Sequence, residues 1–569
     1  MSILGASFQI GRSALATYQS ALAVTGQNIA NVGNSDYARQ SGRLATLDGG
    51  LTASGHQVGA GVRMTGLVRN FDAAVENRLR VALGARSGAE TSQQAWLQTE
   101  SLYNELTDAD LSTQLNNFFN AFATLEINPQ DASTRSLIRS SAENVAGEFQ
   151  RLHAGLVSQV EDLNVKVGQA VDRADDIAGE IANLNKLIVT EESRGVGAAS
   201  ALRDRRDGLL RELSEYLDIQ VRETANGAVN VYVNSDPLIE AGRSRGLKTE
   251  LRLEDGLEIF QVRFTDNNGL VRARDGLIAG VVDARDNAIR GQISALDGVA
   301  RAFIGEVNRV QSTGVGLNAQ QSLSGVHAVR DANAVLNDPT LGLPYPISNG
   351  VMIVHVRNAQ TGQETTRQIE VDLDGLNGDD TTLADLAAAL DGVPGLSAGV
   401  TADLRLQVTA DAGSEVWFSE DTSGALTALG VGAFFEGDSA STINLHDSIR
   451  NNVSLIAASA NGAAADGANA GRFALLQRDG TALLNGRTVQ QAQADMFSTV
   501  AVGAANAQVR YDAADAVYSS MLAQREAVSG VSLDEEAINL SKFQTAFQGA
   551  ARYLSAIDRL ADDVLALVS

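Results

Sequence analysis

The chain has 569 residues, a length that predicts three or four domains of about 150 residues each. Hydrophobic residues make up 44% of it, enough to bury a core, and the formal net charge is −25 without any dense basic run. A chain this acidic repels nucleic acid and anionic lipid, so neither is a predicted partner. It has no cysteine, which excludes disulfides, thiolate metal sites and thiol nucleophiles.

The beginning of the sequence lacks the features of two common sorting signals. No stretch anywhere in the chain reaches the roughly 18 uninterrupted apolar residues that a membrane span requires. The first residues also lack the charged segment and compact apolar core of a cleaved signal peptide. We therefore expect no membrane insertion, and we expect any export to use another route.

The N-terminal segment carries a heptad pattern. Mostly apolar residues recur at alternating steps of four and three from Leu4 to Val32, which predicts a helix with one continuous seam. The predicted seam comprises Leu4, Phe8, Leu15, Tyr18, Leu22, Ile29 and Val32, with Gly11 and Thr25 in the same register. The other face carries Ser, Ala, Gln and Thr instead of charge, which indicates a helix surrounded by protein.

An asparagine-rich stretch, GQNIANVGNSDYARQ, follows where this heptad ends. Asparagine tolerates the left-handed conformation and bonds to nearby backbone groups. Asn28, Asn31, Asn34 and Tyr37 therefore read as the signature of a helix end that passes into an extended loop.

The middle of the chain alternates between helical and strand-like patterns. Helices are predicted from Leu97 to Leu125, stopping at Asn128–Pro129, and along the heptads Val160–Ile188 and Ile289–Val310. Antiparallel strands are predicted from 218 to 271, with turns at Asn226–Gly227 and Asn268–Gly269. Further strands at 351–358, 367–373, 404–410 and 415–421 surround one short helix, Leu383–Leu390.

The C-terminal segment repeats the heptad pattern of the N-terminal one. Its predicted seam comprises Phe543, Phe547, Leu554, Ile557, Val564 and Val568, with Ala550 and Ala561 in register. Two heptad helices at opposite ends of one chain are the simplest partners for each other, so we predict that they pair as a coiled coil.

These patterns predict a multi-domain α plus β protein with paired terminal helices, a long-helix bundle core and inserted antiparallel β-rich domains. The predicted divisions are a terminal domain (1–35 with 535–569), a helical core (36–217 with 272–326 and 438–534), a β-rich domain (218–271) and an outer β-rich domain (327–437).

Several short motifs imitate functional sites. GLSAG at 395–399 matches a nucleophile elbow, but it follows a helix and precedes a strand, which is the reverse of the required order. DLDGLNGDD at 372–380 lacks the order of an EF-hand calcium loop, so a solvated acidic turn is predicted. GAGVRMTG near Gly59 alternates like a strand and lacks the spacing of a dinucleotide loop. The histidines His56, His153, His327, His355 and His446 are scattered. We predict no catalytic residue, no metal site and no cofactor.

Both ends of the chain resemble the flagellar axial proteins, the family of rod, hook and hook-associated subunits. NIANVGNSDYARQ is similar to the asparagine-rich signature of that family, and the segment from Ser529 to the end is similar to its closing helix. Interior blocks resemble the hook-associated branch, which joins hook to filament. These blocks are NNFFNAFATLEINPQDASTRS from Asn116, IANLNKLI from Ile181, LRDRRDGLLRELSEYLDIQV from Leu202 and DGLIAGVVDARDNAI from Asp275.

The resemblance implies an extracellular structural subunit without enzymatic activity, located at the hook–filament junction of the bacterial flagellum. Such a subunit is exported unfolded by the flagellum-specific apparatus with an export chaperone, and it folds its termini on assembly. It self-assembles into a ring or short helical layer, with the hook subunit below and a second junction protein or filament subunit above. The seam residues are then the assembly surface.

Two alternatives to the junction subunit remain. The first is a hook or rod subunit, although the interior helical blocks argue against it. The second is a secreted enzyme or adhesin carried on an axial scaffold through the 327–437 module.

Overall fold

The computed structural model describes residues 3–48, 59–103, 110–193 and 199–568. His56 lies outside these ranges, and the side chains of Leu4 and Val568 lie outside the described part of their helices.

The helices of the described ranges vary in length from 5 to 61 residues. In chain order they are α1 (Ile3–Ala30), α2 (Ala73–Tyr103), α3 (Leu111–Ile127), α4 (Ala132–Glu192), α5 (Ser200–Tyr216), α6 (Leu277–Asp283), α7 (Arg290–Ser312), α8 (Leu383–Asp391), α9 (Ala425–Leu429), α10 (Asp447–Asn451), α11 (Ala468–Leu475), α12 (Val489–Ser529) and α13 (Leu533–Val568).

The strands form small antiparallel sheets. In chain order they are β1 (Gln40–Leu47), β2 (Gly61–Arg69), β3 (Ile219–Glu223), β4 (Val229–Val233), β5 (Asp236–Glu240), β6 (Arg243–Ser244), β7 (Leu247–Glu254), β8 (Leu257–Phe264), β9 (Ser322–Ser324), β10 (Gly350–Asn358), β11 (Glu364–Val371), β12 (Leu396–Val400), β13 (Leu406–Ala410), β14 (Ser414–Ser419), β15 (Phe435–Glu436) and β16 (Asn444–Leu445). Their orders within sheets are β1-β2, β3-β4-β5-β6, β7-β8, β11-β10-β14, β12-β13-β9 and β15-β16.

The chain divides into two compact units. The first comprises Met1–Ala95, Glu161–Ala284 and Ala505–Ser569, and the second comprises Trp96–Val160 and Arg285–Ala504. The first unit therefore contains both terminal helices and the sheets built from β1 to β8. The second contains α3, α7 and the sheets built from β9 to β16.

In the first unit, two asparagines of α4 hold the strands that lie beside it. The side-chain amide of Asn185 donates to the carbonyl of Val229 at 2.8 Å and accepts from its N–H at 3.1 Å. Asn164 acts in the same way on β8, where it accepts from the N–H of Phe260 at 3.1 Å and donates to the carbonyl of Glu258. Because an amide side chain carries both a donor and an acceptor, each asparagine serves as one more pairing position for its strand.

In the second unit, the core is built around phenylalanine. Of the sixteen phenylalanines in the chain, eight contact one another there. They are Phe118, Phe119, Phe122, Phe149, Phe303, Phe434, Phe435 and Phe473. Phe122 stacks on Phe473 with ring centroids 4.1 Å apart. Rings packed in stacked and edge-to-face pairs fix helices and loops against one another more firmly than area alone provides.

A buried asparagine attaches the segment around β15 to α7. Asn308 is 1% exposed. It accepts from the N–H groups of Phe434 and Phe435 at 2.8 and 2.9 Å and donates to the carbonyl of Phe435 at 2.8 Å. This part of the segment 327–437 thus packs into the helical core of its unit.

The fold class predicted from the sequence is confirmed: long helices are combined with small antiparallel sheets. The β1–β2 sheet lies in a range predicted as helical core, and the helix predicted from Leu97 to Leu125 is divided. α2 runs to Tyr103, and α3 begins at Leu111, where the Asp110 side chain caps the helix by accepting from the Thr113 N–H at 2.7 Å. Among the helices of the described ranges, none combines the length and apolarity needed to cross a membrane.

Candidate assembly surface at the chain ends

The two terminal helices, α1 and α13, pack side by side within the first unit. Gly11 of α1 lies so close to Leu554 of α13 that a Cβ at Gly11 would stand 2.7 Å from Leu554 Cδ1. The missing side chain therefore permits the close approach, and both residues belong to the predicted seams.

On α13, the half-buried residues follow the predicted spacing. Phe543, Phe547, Leu554 and Ile557 are half-buried, and the alanines in register with them, Ala550 and Ala561, are half-buried as well. Val564, near the end of the helix, is 45% exposed. The stripe is thus continuous, but α1 covers it only in part.

On α1, the predicted seam residues are half-buried or exposed. Leu15, Tyr18, Leu22 and Ile29 are half-buried, whereas Phe8 and Val32 are 38% and 41% exposed. The most deeply buried positions lie on a stripe of small and polar residues that partly coincides with the seam: Gly11, Thr17, Ala21, Thr25 and Asn28.

The β1–β2 hairpin explains why that second stripe is small and polar. The Thr17 hydroxyl lies 2.9 Å from the carbonyl oxygen of Val62, and the Ser13 hydroxyl accepts from the Val62 N–H at 3.4 Å. Gly61 has a φ of 114°, and a Cβ there would stand 2.0 Å from Ser13 Oγ. The side of α1 that lacks charge therefore packs against the hairpin. The alternation around Gly59 predicted one strand here, but neither its pairing with β1 nor its contact with α1.

Asn28 lies at the centre of a buried polar cluster that joins the two ends of the chain. Its amide donates to the carbonyl of Gln40 at 2.9 Å and to Glu536 Oε2 at 3.1 Å. Its amide oxygen accepts from the Tyr37 hydroxyl at 2.7 Å and from the Gln40 N–H at 3.0 Å. Both amide hydrogens and both acceptor positions are therefore used.

Glu536 carries the cluster into α13. This carboxylate is 1% exposed, and it accepts from Arg39 Nε at 2.8 Å as well as from Asn28. Arg39 also pairs with the exposed Glu535 at 2.6 Å. A buried carboxylate is tolerated when it is paired and hydrogen-bonded, and Glu536 meets both conditions.

A second buried carboxylate, Glu76, ties the loop after α1 to α2, α5 and α12. Arg211 donates to both of its oxygens, at 3.2 and 3.1 Å, and Arg525 lies 3.3 Å from Oε1. Arg211 also pairs with Asp36 at 2.7 Å. These two bonds of Arg211 connect Asp36, within the asparagine-rich stretch, to the helices of the first unit.

The phenol of Tyr37 is held neutral by this environment. Burial raises the pKa of Tyr37 to about 12, and the negative charges of Asp204 and Glu536 act in the same direction. The neutral phenol is the form that can donate to Asn28.

The other two asparagines of the stretch have local roles. α1 ends at Ala30, and Asn31 donates to the carbonyl of Gln27 at 2.9 Å. The amide oxygen of Asn34 accepts from the Asp36 N–H at 3.1 Å. Gly33, which lies between Asn31 and Asn34, has a φ of 85°. Asn31 and Asn34 therefore shape the turn after the helix, whereas Asn28 and Tyr37 form the buried connection.

The end helices of the first unit expose large apolar side chains. On the outer surface of α13, Ile538 is 68% exposed and Leu560 is 52% exposed, and on α12 Val509 and Val517 are 66% and 53% exposed. These side chains are apolar surface that packing within the first unit leaves uncovered.

The motifs that imitate functional sites have structural roles in the second unit. Ser397 lies on β12, which follows α8 and precedes β13. The carboxylates of Asp372, Asp374 and Asp380 lie within 4.8 Å of one another, and each accepts from a backbone N–H of the same loop. His446 caps α10 by accepting from the Ser448 N–H at 3.1 Å.

The pairing of α1 with α13 agrees with the expectation that the two ends of the chain pack together. Residues 96–324 match the family model described as the flagellar hook-associated protein FlgK helical domain. This match agrees with the resemblance that the interior blocks of the sequence show.

Curated relatives and a solved structure are similar to the chain. It is 30% identical over 237 residues to "Flagellar hook-associated protein 1" of Escherichia coli K12, covering 41% of this chain and 43% of that protein. It is 28% identical over 225 residues to the protein of the same name from Bacillus subtilis 168, covering 38% of this chain and 44% of that protein. The matches thus span less than half the length of these relatives. A solved structure titled as the flagellar hook junction protein FlgK from Burkholderia pseudomallei is 15% identical, with a TM-score of 0.49, and the match covers 80% of this chain and 100% of that one.

Proposed function

We propose that this protein is a structural subunit of the bacterial flagellum that forms the junction between hook and filament. The observation that carries the proposal is the combination, in one chain, of the matched helical segment 96–324 with a terminal helix pair that lies outside it. Curated relatives of the chain bear the name of hook-associated proteins, which favours the junction over a hook or rod subunit.

In this proposal the terminal helices are the assembly surface. α1 and α13 pair within the chain, yet their seams remain half-covered and their outer faces carry exposed apolar residues. Apolar surface of this kind is stabilised when neighbouring subunits cover it. The terminal domain (1–35 with 535–569) then forms a coiled-coil layer, either a ring or a short helical turn, and the 327–437 module forms the outer part of the subunit.

The proposed partners follow from this location. The hook subunit lies below the layer and a second junction protein or filament subunit lies above it. The chain reaches the site unfolded through the flagellar export channel with a chaperone, and its termini complete their burial on assembly. The absence of cysteine from the sequence avoids crosslinks during that passage.

We further propose that the protein is not an enzyme. The serine and the aspartates of the 327–437 module that imitate catalytic or metal sites belong to a strand and to loop closures, and His446, outside that module, caps α10. This arrangement favours a structural module over the rival of an enzyme or adhesin on an axial scaffold.

The test is localisation on sheared, purified flagella with a gold-labelled antibody against the second unit. We expect label in one thin band at the distal end of the hook. Label along the hook, in the rod or along the filament would contradict the junction assignment.

A further inference from the structure

The first unit contains a cleft that is separate from the terminal helices and lies where α2, α5 and β3 meet. Its volume is about 390 Å³. Apolar side chains, among them Phe71, Leu210 and Val221, line one part of it. Arginines line the rest.

The charge of this cleft is opposite to that of the chain. Five arginines line it, namely Arg69, Arg80, Arg203, Arg206 and Arg222, against two carboxylates, Asp207 and Glu223. The whole chain carries a formal charge of −25. A positive concavity on a strongly acidic protein concentrates anions.

Some of the cleft arginines are satisfied by acidic neighbours. Arg69 pairs with Asp204 at 2.7 Å and with Asp207 at 2.6 Å. Arg203 pairs with Glu192 at 2.6 Å and with Glu223 at 2.7 Å. Ion pairs within the chain therefore balance the charges of Arg69 and Arg203.

Two other arginines each keep a buried donor without an acceptor. Arg80 is 6% exposed and Arg206 is 2% exposed, and the Nε of each is buried without a hydrogen-bond partner among the described residues. The Arg206 guanidinium also donates to the carbonyl of Gly227 at 2.7 Å and to Asn185 Oδ1 at 3.4 Å, and its Nε lies 3.8 Å from Asp207 Oδ1, beyond hydrogen-bond distance. A buried donor without an acceptor is costly, most of all when it carries charge, so such a group in a native protein calls for a ligand.

We propose that this cleft binds an oxyanion group, a carboxylate or a phosphate, through the guanidinium groups of Arg80 and Arg206. A planar guanidinium matches either oxyanion with two parallel N–H···O bonds, which makes arginine the residue suited to this role. The apolar lining accommodates the carbon chain of an organic anion. The inference is independent of the proposed function, since it concerns residues away from the terminal seams.

The test uses the full-length chain and two probes, sodium phosphate and sodium glutarate, each titrated at constant ionic strength against sodium chloride. We expect one probe or both to bind saturably with a stoichiometry of one in calorimetry and to raise the unfolding temperature. The probe that binds more tightly identifies the source of the oxyanion, phosphate or carboxylate.

Three variants locate the binding. Arg80→Met is expected to abolish it while the chain without probe keeps a cooperative unfolding transition. Asn77→Asp, at an exposed position that lines the same cleft, is expected to weaken binding at least tenfold by repulsion without affecting folding. Arg63→Gln makes the same change in net charge on exposed β2 and is expected to bind like the wild type.

Wild-type protein that binds neither probe saturably would overturn the proposal. Binding that survives both Arg80→Met and Asn77→Asp would also overturn it, because the anion would then be held elsewhere.

Discussion

Asn28 uses its whole hydrogen-bonding capacity in one place, and this makes it sensitive to the smallest possible change. Asn28→Asp replaces the amide by a carboxylate of the same shape, so the bonds to Gln40 and Glu536 lose their donor. Two buried carboxylates then face each other. We expect a loss of about 3 kcal/mol or more in stability, measured as the decrease in the free energy of unfolding of the purified chain.

Asn31→Asp is the matched control for this substitution. Asn31 lies on the last turn after the same helix and makes one local bond to Gln27, so we expect a loss of roughly 0.5 kcal/mol. Equal effects of the two substitutions would contradict the central role of Asn28.

The stability that the Asn28 cluster contributes depends on pH in the range where Tyr37 ionises. Since burial raises the pKa of Tyr37 from its ordinary value of 10.0 to about 12, the folded chain holds the phenol proton more tightly than the unfolded chain. The stabilisation is therefore complete below pH 10 and is lost as the pH rises from 10 to 12, by up to about 1.4 kcal/mol per pH unit.

The measurement is the difference in unfolding temperature between wild type and Tyr37→Phe across that pH range. We expect the wild type to be the more stable protein at pH 8 and its advantage to shrink above pH 10. A difference that stays constant from pH 8 to pH 11.5 would show that Tyr37 does not titrate in this way.

The sequence did not reveal these residue contacts, and the reason is their separation along the chain. Asn28 and Glu536 are 508 positions apart, and Glu76 and Arg525 are 449 apart. The asparagine pattern predicted a helix end because that property is local. Which asparagine is buried depends on the hairpin and on α13, and no spacing within the sequence encodes their approach.

At the scale of elements, periodic patterns predicted more. The half-buried residues of α13 lie at the predicted steps of four and three, because a single apolar stripe decides which way a helix faces. On α1 the predicted seam residues are half-buried or exposed, and the deepest burial falls on small residues such as Ala21, on the stripe that receives the β1–β2 hairpin. Small side chains carry a weak hydrophobic signal, so pattern analysis does not identify such a second contact face.

In the outer module, too, local patterns predicted elements but not the contacts between them, and this bears on where the module ends. Its short helix and four of its strands were predicted between 351 and 421, whereas β12 (Leu396–Val400) was not. Phe434 and Phe435, which also lie within the predicted range 327–437, pack with Phe118 and Phe303 in the helical core. Removing the whole range therefore removes two buried rings from that core.

We expect two deletions to differ in stability. Deleting 349–422 joins residues that are already adjacent, since the Ser348 N–H donates to the Ser423 carbonyl at 3.0 Å, and it should leave the helical core folded. Deleting 327–437 should destabilise the core by several kcal/mol more, at about 3–5 kcal/mol for each lost phenylalanine. Thermal unfolding followed by circular dichroism measures both variants, and equal unfolding temperatures would show that the two rings do not support the core.

At the scale of the whole molecule, charge and apolar surface act in opposite directions. Identical subunits with a formal charge of −25 repel one another at low ionic strength. Attraction within a layer must therefore come from uncharged surface, and α1 supplies it, because Arg12 is its one charged residue. Because a symmetric layer repeats each contact in every subunit, a small local loss at the seam becomes a large collective one.

Filament attachment tests most directly whether the terminal helices are the assembly surface. It is compared between cells whose only copy of the protein carries Leu554→Asp and cells whose only copy carries Ser555→Asp. Leu554 is half-buried on the seam and Ser555 beside it is exposed. The seam substitution loses about 1.5–3 kcal/mol of burial per subunit and adds the cost of an unpaired charge. We predict that Leu554→Asp cells make hooks without filaments and that Ser555→Asp cells keep their filaments. Normal filaments on Leu554→Asp cells would contradict the assignment of the terminal helices as the assembly surface.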